Sequence, residues 1–137
     1  MGEGGVSVLG GFDFGKVLSI ADALPMPIAL IGRDGRYLFC NRALSDFFER
    51  PRAQILGLTM SELLGEKAYA VREPMLSAAF EGERQWFAAQ YDHPSRGPIA
   101  LQTEYLPQTN NAGEVIGVVI LVQDVTEQRI AERALRE

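Results

Sequence analysis

The stretch that decides the fold lies in the last third of the chain and reads LPQTNNAGEVIGVVILVQDVTE, residues 106–127. It begins at a strand end and passes through a turn that contains Gly113. The run 115–122 is apolar at both alternating positions, which predicts a central strand covered on both faces. Asp124 then precedes a charged segment where a helix is expected to begin. A strand that passes directly into a helix would transmit changes in the sheet to that helix.

Residues at this junction are spaced as a capping box, with Asp124 as N-cap and Glu127 three residues later. The Thr126 hydroxyl adds a further polar group. Ordinary capping is worth about 1 kcal/mol. A second interpretation makes the cap a hinge, at which a shift of the last strand tilts or rotates the helix. The two interpretations are compatible, and the candidate signal-transmission junction is Asp124, Thr126 and Glu127.

Residues 128–137 are helical by composition, and Glu132 and Arg136 are spaced for a helix ion pair. This segment predicts the start of a signalling helix and of a parallel coiled coil. The window is shorter than two heptads, and a coiled coil is recognised over three or four. The alternative is a solvated helix end.

Composition limits the function. The 137 residues predict one domain, and the 47% hydrophobic content provides an ordinary core. A net charge of −5 with 13 scattered Lys and Arg argues against direct nucleic-acid binding. The longest apolar run, 118–122, is too short for membrane insertion, and the first residues lack a secretory pattern. A single cysteine fits a reducing, cytoplasmic setting.

The chain divides into a flexible Gly-rich lead at 1–14, a domain at 15–127 and the helical segment 128–137. An amphipathic helix at 15–24 ends at Pro25 and covers the outer sheet face or pairs across a dimer. Asp34-Gly35 predicts a two-residue hairpin turn between the strands 28–31 and 37–40.

The middle of the chain alternates helices with strands. Asn41 is placed as the N-cap of a helix, and Glu66 to Glu81 is a longer helix that Pro74 kinks or restarts. Strands are expected at 85–91, 99–106 and 115–122, with the odd positions 99–105 facing inward. This order predicts an α+β fold whose antiparallel sheet carries helices mainly on one face.

Several local signatures, in this order, resemble the PAS domain family over about Leu24–Glu127. They are Gly35-Arg36, Asn41-Arg42-Ala43, Ile55-Leu56-Gly57, Ala79-Phe80-Glu81-Gly82-Glu83, Leu106-Pro107, Gly113-Glu114-Val115-Ile116-Gly117 and Asp124-Val125-Thr126-Glu127. The resemblance implies a five-stranded antiparallel sheet, an N-terminal amphipathic helix and a C-terminal exit helix. It also implies a possible small-molecule cavity between helices and sheet.

Aromatic, methionine and leucine residues are candidates to line that cavity, although the same residue types also fill ordinary cores. The candidate lining residues are Phe39, Phe48, Met60, Tyr69, Met75, Trp86, Leu101 and Tyr105.

Two familiar PAS chemistries are disfavoured. Cys40 lies at a strand end, outside the Asn-Cys-Arg-Phe-like helical motif of flavin-binding light sensors, and is interpreted as a buried thiol. His93 lies beside Pro94 in an expected exposed loop, and the helix at 66–81 contains no histidine for haem. The sequence contains no recognisable set of metal ligands and no catalytic residue set. It does not identify a cofactor, which therefore stays unknown.

The resemblance predicts a cytoplasmic sensor or dimerisation module of a bacterial signalling protein. Its expected partners are a second copy, a small-molecule ligand and a covalently linked output domain, either a histidine kinase or a cyclic-dinucleotide enzyme such as a diguanylate cyclase. The alternatives are a ligand-free interaction module and a small α+β enzyme.

Overall fold

The structure is a computed structural model that describes residues 8–9 and 12–136. Its strands are β1 (Val8–Leu9), β2 (Phe12–Asp13), β3 (Ile28–Gly32), β4 (Tyr37–Cys40), β5 (Gln85–His93), β6 (Gly97–Thr109) and β7 (Val115–Asp124). Its helices are α1 (Phe14–Ala23), α2 (Arg42–Phe48), α3 (Arg52–Ile55), α4 (Met60–Leu64), α5 (Glu66–Phe80) and α6 (Thr126–Arg136).

Five strands form one antiparallel sheet in the order β4-β3-β7-β6-β5, which confirms the predicted α+β fold and the central place of the last strand. β1 and β2 pair only with each other among the described residues. The predicted flexible lead falls on residues 1–14, of which 1–7, 10 and 11 lie outside the described residues.

The core lies between one face of the sheet and helices α2 to α5. Its buried members come from both layers, namely Ala29, Ile31, Tyr37, Cys40, Leu44, Ile55, Met60, Leu63, Leu76, Ala79, Tyr105, Val118 and Ile120. Ile99, Leu101, Thr103 and Tyr105 are all buried, which confirms that the odd positions of β6 face inward.

The prediction that the apolar run 115–122 is covered on both faces is wrong for the described chain. Val118 and Ile120 are buried against the helices, whereas Val119 and Leu121 on the opposite face are only partly covered. The helices of the core lie on the inner face, so the outer-face residues of this strand receive little cover.

The N-terminal corner of the domain is organised by Asn41, whose side chain is fully buried. Its Oδ1 accepts hydrogen bonds from the backbone N–H of Ile28 (2.9 Å) and of Leu44 (3.1 Å). Its Nδ2 donates to the carbonyls of Ala21 (2.8 Å) and Met26 (2.9 Å). The predicted N-cap is therefore confirmed, and the same side chain also fixes the end of α1 and the start of β3.

Two other helix predictions need adjustment. α5 runs as one helix through Pro74, which is exposed, so the restart considered from the sequence does not occur. α1 begins one residue earlier and ends one residue earlier than predicted, and its Asp22 carboxylate accepts from the backbone N–H of Arg42 (2.8 Å). The described polar contacts of α1 are thus with the start of α2 and with α3, where Arg52 pairs with Asp22.

Candidate functional site

A cavity of about 40 Å³ lies between the inner face of the sheet and the helices. Its lining comes from most of the core elements and consists of Pro27, Tyr37, Leu44, Phe47, Phe48, Met60, Leu64, Arg72, Tyr91, Leu101, Thr103, Tyr105, Ile120 and Val122. Most of these side chains are apolar, but a guanidinium, three phenols and one hydroxyl interrupt the apolar wall. That mixture of an apolar lining with a few polar groups is typical of ligand sites.

The structure brings together half of the predicted lining residues. Phe48, Met60, Leu101 and Tyr105 line the cavity. Tyr69 and Met75 pack against the core without lining the cavity.

The prediction is wrong for Trp86 and Phe39, which lie on the outer face of the sheet. Trp86 is 74% exposed and pairs with Glu104, whereas its neighbour Phe87 packs against the core. Phe39 pairs with Leu30 of β3. A register shift between Leu30 and Ile31 changes which β4 residues face inward, and Phe39 therefore lies on the outer face. Successive strand residues point to opposite faces, so only one of two adjacent aromatic residues can reach the interior.

Arg72 is the most distinctive residue of the cavity lining, and it is not among the residues predicted from the sequence. Its side chain is 3% exposed and lies on the stripe of α5 that also carries Leu76 and Ala79. Position 72 lies at helical spacing from these apolar residues, and this spacing in the sequence indicates that Arg72 faces the core. Arginine is rarely buried without a partner, so other groups must stabilise the buried guanidinium.

The guanidinium of Arg72 is held by two backbone carbonyls. One nitrogen donates to Ala68 (3.0 Å) and the other to Gln90 of β5 (3.3 Å). Across residues 8–9 and 12–136, no carboxylate lies within ion-pair distance of it. Its positive charge is therefore balanced only by neutral dipoles.

The phenols beside Arg72 are strongly desolvated. Burial raises the pKa of Tyr37, Tyr91 and Tyr105 above the ordinary value, and the nearby charge of Arg72 opposes that rise. The three phenols therefore stay protonated near neutral pH and can donate hydrogen bonds. The Tyr105 hydroxyl donates to the Met60 Sδ at 3.6 Å, a weak acceptor.

Cys40 and His93 lie outside the cavity lining. Cys40 is fully buried at the end of β4, as predicted, and burial raises the pKa of its thiol despite the nearby Arg52. A raised pKa disfavours the reactive thiolate.

The expectation of an exposed loop at His93 is wrong. The side chain is 4% exposed at the end of β5, and its Nε2 lies 2.6 Å from the carbonyl of Phe47. Its Nδ1 accepts from the backbone N–H groups of Ser95 and Arg96, both at 3.2 Å. These contacts assign the proton to Nε2 and make His93 a structural tie between the β5–β6 hairpin and α2.

The candidate signal-transmission junction at the end of β7, called the output junction below, differs from the predicted capping box. α6 begins at Thr126, so Asp124 lies two residues before it, and its Oδ1 accepts from the Thr126 N–H at 2.9 Å. Glu127 is exposed and its side chain makes no described hydrogen bond, so the reciprocal bond of a capping box is missing, and the start of α6 is held by Asp124 and by β6. The second Asp124 oxygen accepts from the Arg96 guanidinium.

A second set of contacts fixes α6 to β6. The Val125 N–H donates to the Ala100 carbonyl (2.9 Å), and the Ala100 N–H donates to the Thr126 Oγ1 (2.8 Å). Burial raises the pKa of the Asp124 carboxyl, but the hydrogen bonds from Thr126 and Arg96 outweigh burial and hold that pKa below its ordinary value of 3.8. The junction therefore depends on an ionised carboxylate.

Within residues 8–9 and 12–136, no group of three or more His, Cys, Asp or Glu side chains is arranged to hold a metal ion. None of the described helices is long and apolar enough to cross a membrane.

Comparison with solved structures supports the fold. The PAS domain of Bordetella pertussis BvgS is 24% identical, with a TM-score of 0.71, over 90% of this chain and 93% of that one. A PAS domain from a two-component sensor histidine kinase is 14% identical, with a TM-score of 0.63, over 81% of this chain and 95% of that one.

A third solved structure is larger than this chain. The VqmA–ligand–DNA complex, described as from Vibrio cholera, is 16% identical with a TM-score of 0.73, over 84% of this chain. This chain covers 52% of that VqmA chain, about half its length. No curated protein matches the sequence.

The sequence itself matches a family profile described as "PAS fold" over residues 21–130, most of the chain. The matched range contains the five-stranded sheet, the cavity and the output junction. PAS domains are generally regulatory, non-catalytic signalling modules that sense or interact. This chain belongs to the PAS fold family.

Proposed function

We propose that this PAS domain senses a small molecule in its cavity and passes the state of that cavity through β7 and α6 to an attached output domain. One observation carries the proposal. Ile120 and Val122 of β7 line the cavity, and the same strand ends two residues later at Asp124. A shift of β7 at the cavity wall therefore acts at short range on the residues that hold α6.

The start of α6 is coupled to the sheet by contacts that such a shift changes. Val125 and Thr126 hold the two backbone groups of Ala100 on β6, and Asp124 bridges Thr126 and Arg96. β6 pairs with β7 along its length, so a relative movement of the two strands lengthens these hydrogen bonds. The expected consequence is a change in the angle or the order of α6.

The exposed apolar residues of α6 support a partner beyond this chain. None of the described residues of Thr126–Arg136 is buried, and Ile130 and Leu135 are 64% and 89% exposed. We propose that α6 pairs with α6 of a second copy in a parallel coiled coil and continues into a histidine kinase or a diguanylate cyclase. The histidine kinase source of one similar structure supports the first output. The same proposal places the domain in the cytoplasm. It also holds that this domain does not bind nucleic acid.

The positions of Cys40 and His93 support a ligand other than a cysteine-linked flavin or a histidine-ligated haem. Both residues lie outside the cavity lining, and the Nε2 of His93 is occupied by the Phe47 carbonyl. Each chemistry needs its residue to face the cofactor.

A ligand-free interaction module is the second candidate function, and the size of the cavity favours it. Sites for drug-sized ligands occupy about 300–1,000 Å³, and this cavity measures about 40 Å³. As a ligand-free module, the domain has an effectively filled core and serves to dimerise or to link other domains.

A pair of variants on one strand tests the relay. Val122→Ala removes apolar atoms from the cavity wall, and Val119→Ala removes the same atoms from the outer face of β7. The relay predicts that amide hydrogen exchange at residues 125–130 rises at least severalfold more in Val122→Ala than in Val119→Ala. Equal exchange in the two variants would contradict the relay. Native mass spectrometry of the purified domain then separates a ligand-bound sensor from a ligand-free module.

A further inference from the structure

We propose that the cavity is a site for a small planar oxyanion, such as a short-chain carboxylate, that is held by Arg72 and admitted between α5 and β5. The inference rests on the proposed sensor function and names the chemical class of the cavity's occupant.

Arg72 carries a positive charge on a side chain that is almost fully buried. A guanidinium has five N–H donors, and the described contacts of Arg72 are two bonds to carbonyl groups that carry no charge. A buried charge is stabilised when it is paired with an opposite charge. A carboxylate accepts two parallel N–H bonds from one guanidinium, which makes it the best-matched partner.

The wall of the cavity contains further polar groups. Hydroxyls of Tyr37, Tyr91, Thr103 and Tyr105 belong to residues that line the same cavity. The Tyr105 hydroxyl donates to a thioether sulfur, and a carboxylate oxygen is a much stronger acceptor. Because these groups are protonated donors beside a cation, the cavity favours an anion over a neutral or cationic guest.

The volume of the cavity limits the size of its occupant. A volume of about 40 Å³ corresponds to roughly three spheres the size of a water molecule. Such a space accommodates about three or four non-hydrogen atoms, as in formate, acetate or nitrate. Larger carboxylates require movement of the wall.

An outer cleft lies beside the cavity and offers access to it. This cleft has a volume of about 400 Å³ and lies between α5 and β5. Leu64, Arg72 and Tyr91 line both this cleft and the interior cavity. These three side chains form the partition between solvent and cavity, so rotation of the Arg72 or Tyr91 side chain opens a path to the binding position.

The test is an NMR titration of the domain with sodium acetate, sodium formate and sodium nitrate from about 0.1 to 50 mM at constant ionic strength. The binding free energy available per non-hydrogen atom limits the Kd of such a small anion to about tens of micromolar at best. The expected Kd is on the order of millimolar. Acetamide is the uncharged control of the same shape as acetate, and sodium chloride is the control for salt. Saturable shifts at cavity residues with acetate, without a response to acetamide, are expected. An equal response to acetamide or to chloride overturns the proposal.

Variants assign the binding to Arg72. Arg72→Met is expected to weaken acetate binding at least tenfold, whereas Arg129→Met, on the exposed α6, leaves the Kd unchanged. Wild-type affinity in a folded Arg72→Met protein overturns the proposal. If that variant does not fold, Tyr91→Phe replaces it and is expected to weaken binding roughly threefold. Unchanged affinity in Tyr91→Phe then counts against the site.

The same titration separates the two proposals when amide exchange at residues 125–130 is followed. Saturable acetate binding without a change in that exchange supports the anion site and overturns the relay. Absence of acetate, formate and nitrate binding overturns the anion site, while the comparison of Val122→Ala with Val119→Ala still decides the relay.

Discussion

The two ends of the PAS core are tied to the sheet by opposite chemistry. At the N-terminal corner, the fully buried neutral amide of Asn41 makes four hydrogen bonds to four separate segments. At the output junction, the partly exposed carboxylate of Asp124 accepts from Thr126 and Arg96. A buried, fully satisfied amide fixes one geometry, whereas an exposed ion pair is weak and can be exchanged. The difference indicates a rigid corner and an adjustable exit.

The most severe test of this contrast is Asn41→Ala. The substitution leaves two N–H groups and two carbonyls at a buried corner without their partner, and we expect a loss of about 3–5 kcal/mol in the free energy of unfolding. Urea denaturation measures it. Asn110→Ala is the matched control, because the exposed Asn110 also accepts from two backbone N–H groups, and its loss should stay below about 1 kcal/mol.

The next test concerns the part of the hairpin beneath the junction. His93→Ala removes the tie to the Phe47 carbonyl and the acceptor for Ser95 and Arg96, and we expect a loss of about 2 kcal/mol. Chemical denaturation gives the value, and exchange of the Ser95 and Arg96 amides should rise. A loss near zero would mean that the hairpin does not depend on His93 for its position.

A smaller effect on stability is expected for Asp124→Ala. Exposed ion pairs contribute about 0–1 kcal/mol, so the unfolding midpoint should move little while amide exchange at residues 125–130 increases. In a longer chain that carries the proposed output domain, the same substitution should uncouple the signal from the output although the PAS domain still folds. Unchanged regulation would reduce Asp124 to a local cap.

The smallest expected effect is a pH dependence at the exit. The pKa of Asp124 is lowered in the folded state, so its contribution to stability is complete above about pH 5 and is lost as the pH falls through the folded value. Asp124→Asn should therefore lose less stability than the wild type between about pH 5 and pH 3. Thermal unfolding at several pH values measures this, and parallel curves for the two proteins would contradict it.

Asp22 provides the corresponding measurement at the N-terminal corner. Burial raises the pKa of its carboxyl, but the bonds from Arg52 and from the Arg42 N–H lower that pKa by more. Asp22→Asn should reduce the acid sensitivity without altering exchange at residues 125–130. A change at those amides would show that the corner and the exit are coupled.

The sequence predicted features that depend on neighbouring residues. The Asn41 cap and the inward odd positions of β6 follow from capping and strand alternation, and both are confirmed. The hairpin at Gly35 is also confirmed, but its turn holds the three residues 33–35 rather than two, because the Gly32 N–H donates to the Arg36 carbonyl (2.9 Å).

Features set by distant contacts could not be read from local patterns. Trp86 faces outward because β5 pairs with β6 in one particular register, and His93 is buried because it reaches a carbonyl 46 positions earlier in the chain. Burial of Arg72 requires both the apolar stripe of α5 and the Gln90 carbonyl of β5. The positions of these three side chains are set by strand register and by packing between elements, which local sequence patterns do not contain.

The outward position of Trp86 gives the domain a built-in optical probe. It is the chain's only tryptophan, it is 74% exposed, and it lines an outer groove of about 310 Å³ together with Met26, Gln102 and Leu121. Indole emission shifts to shorter wavelength when water is removed from the ring. A molecule that covers the outer face of the sheet should therefore shift the fluorescence to the blue, whereas filling the interior cavity on the opposite face should leave the emission maximum unchanged.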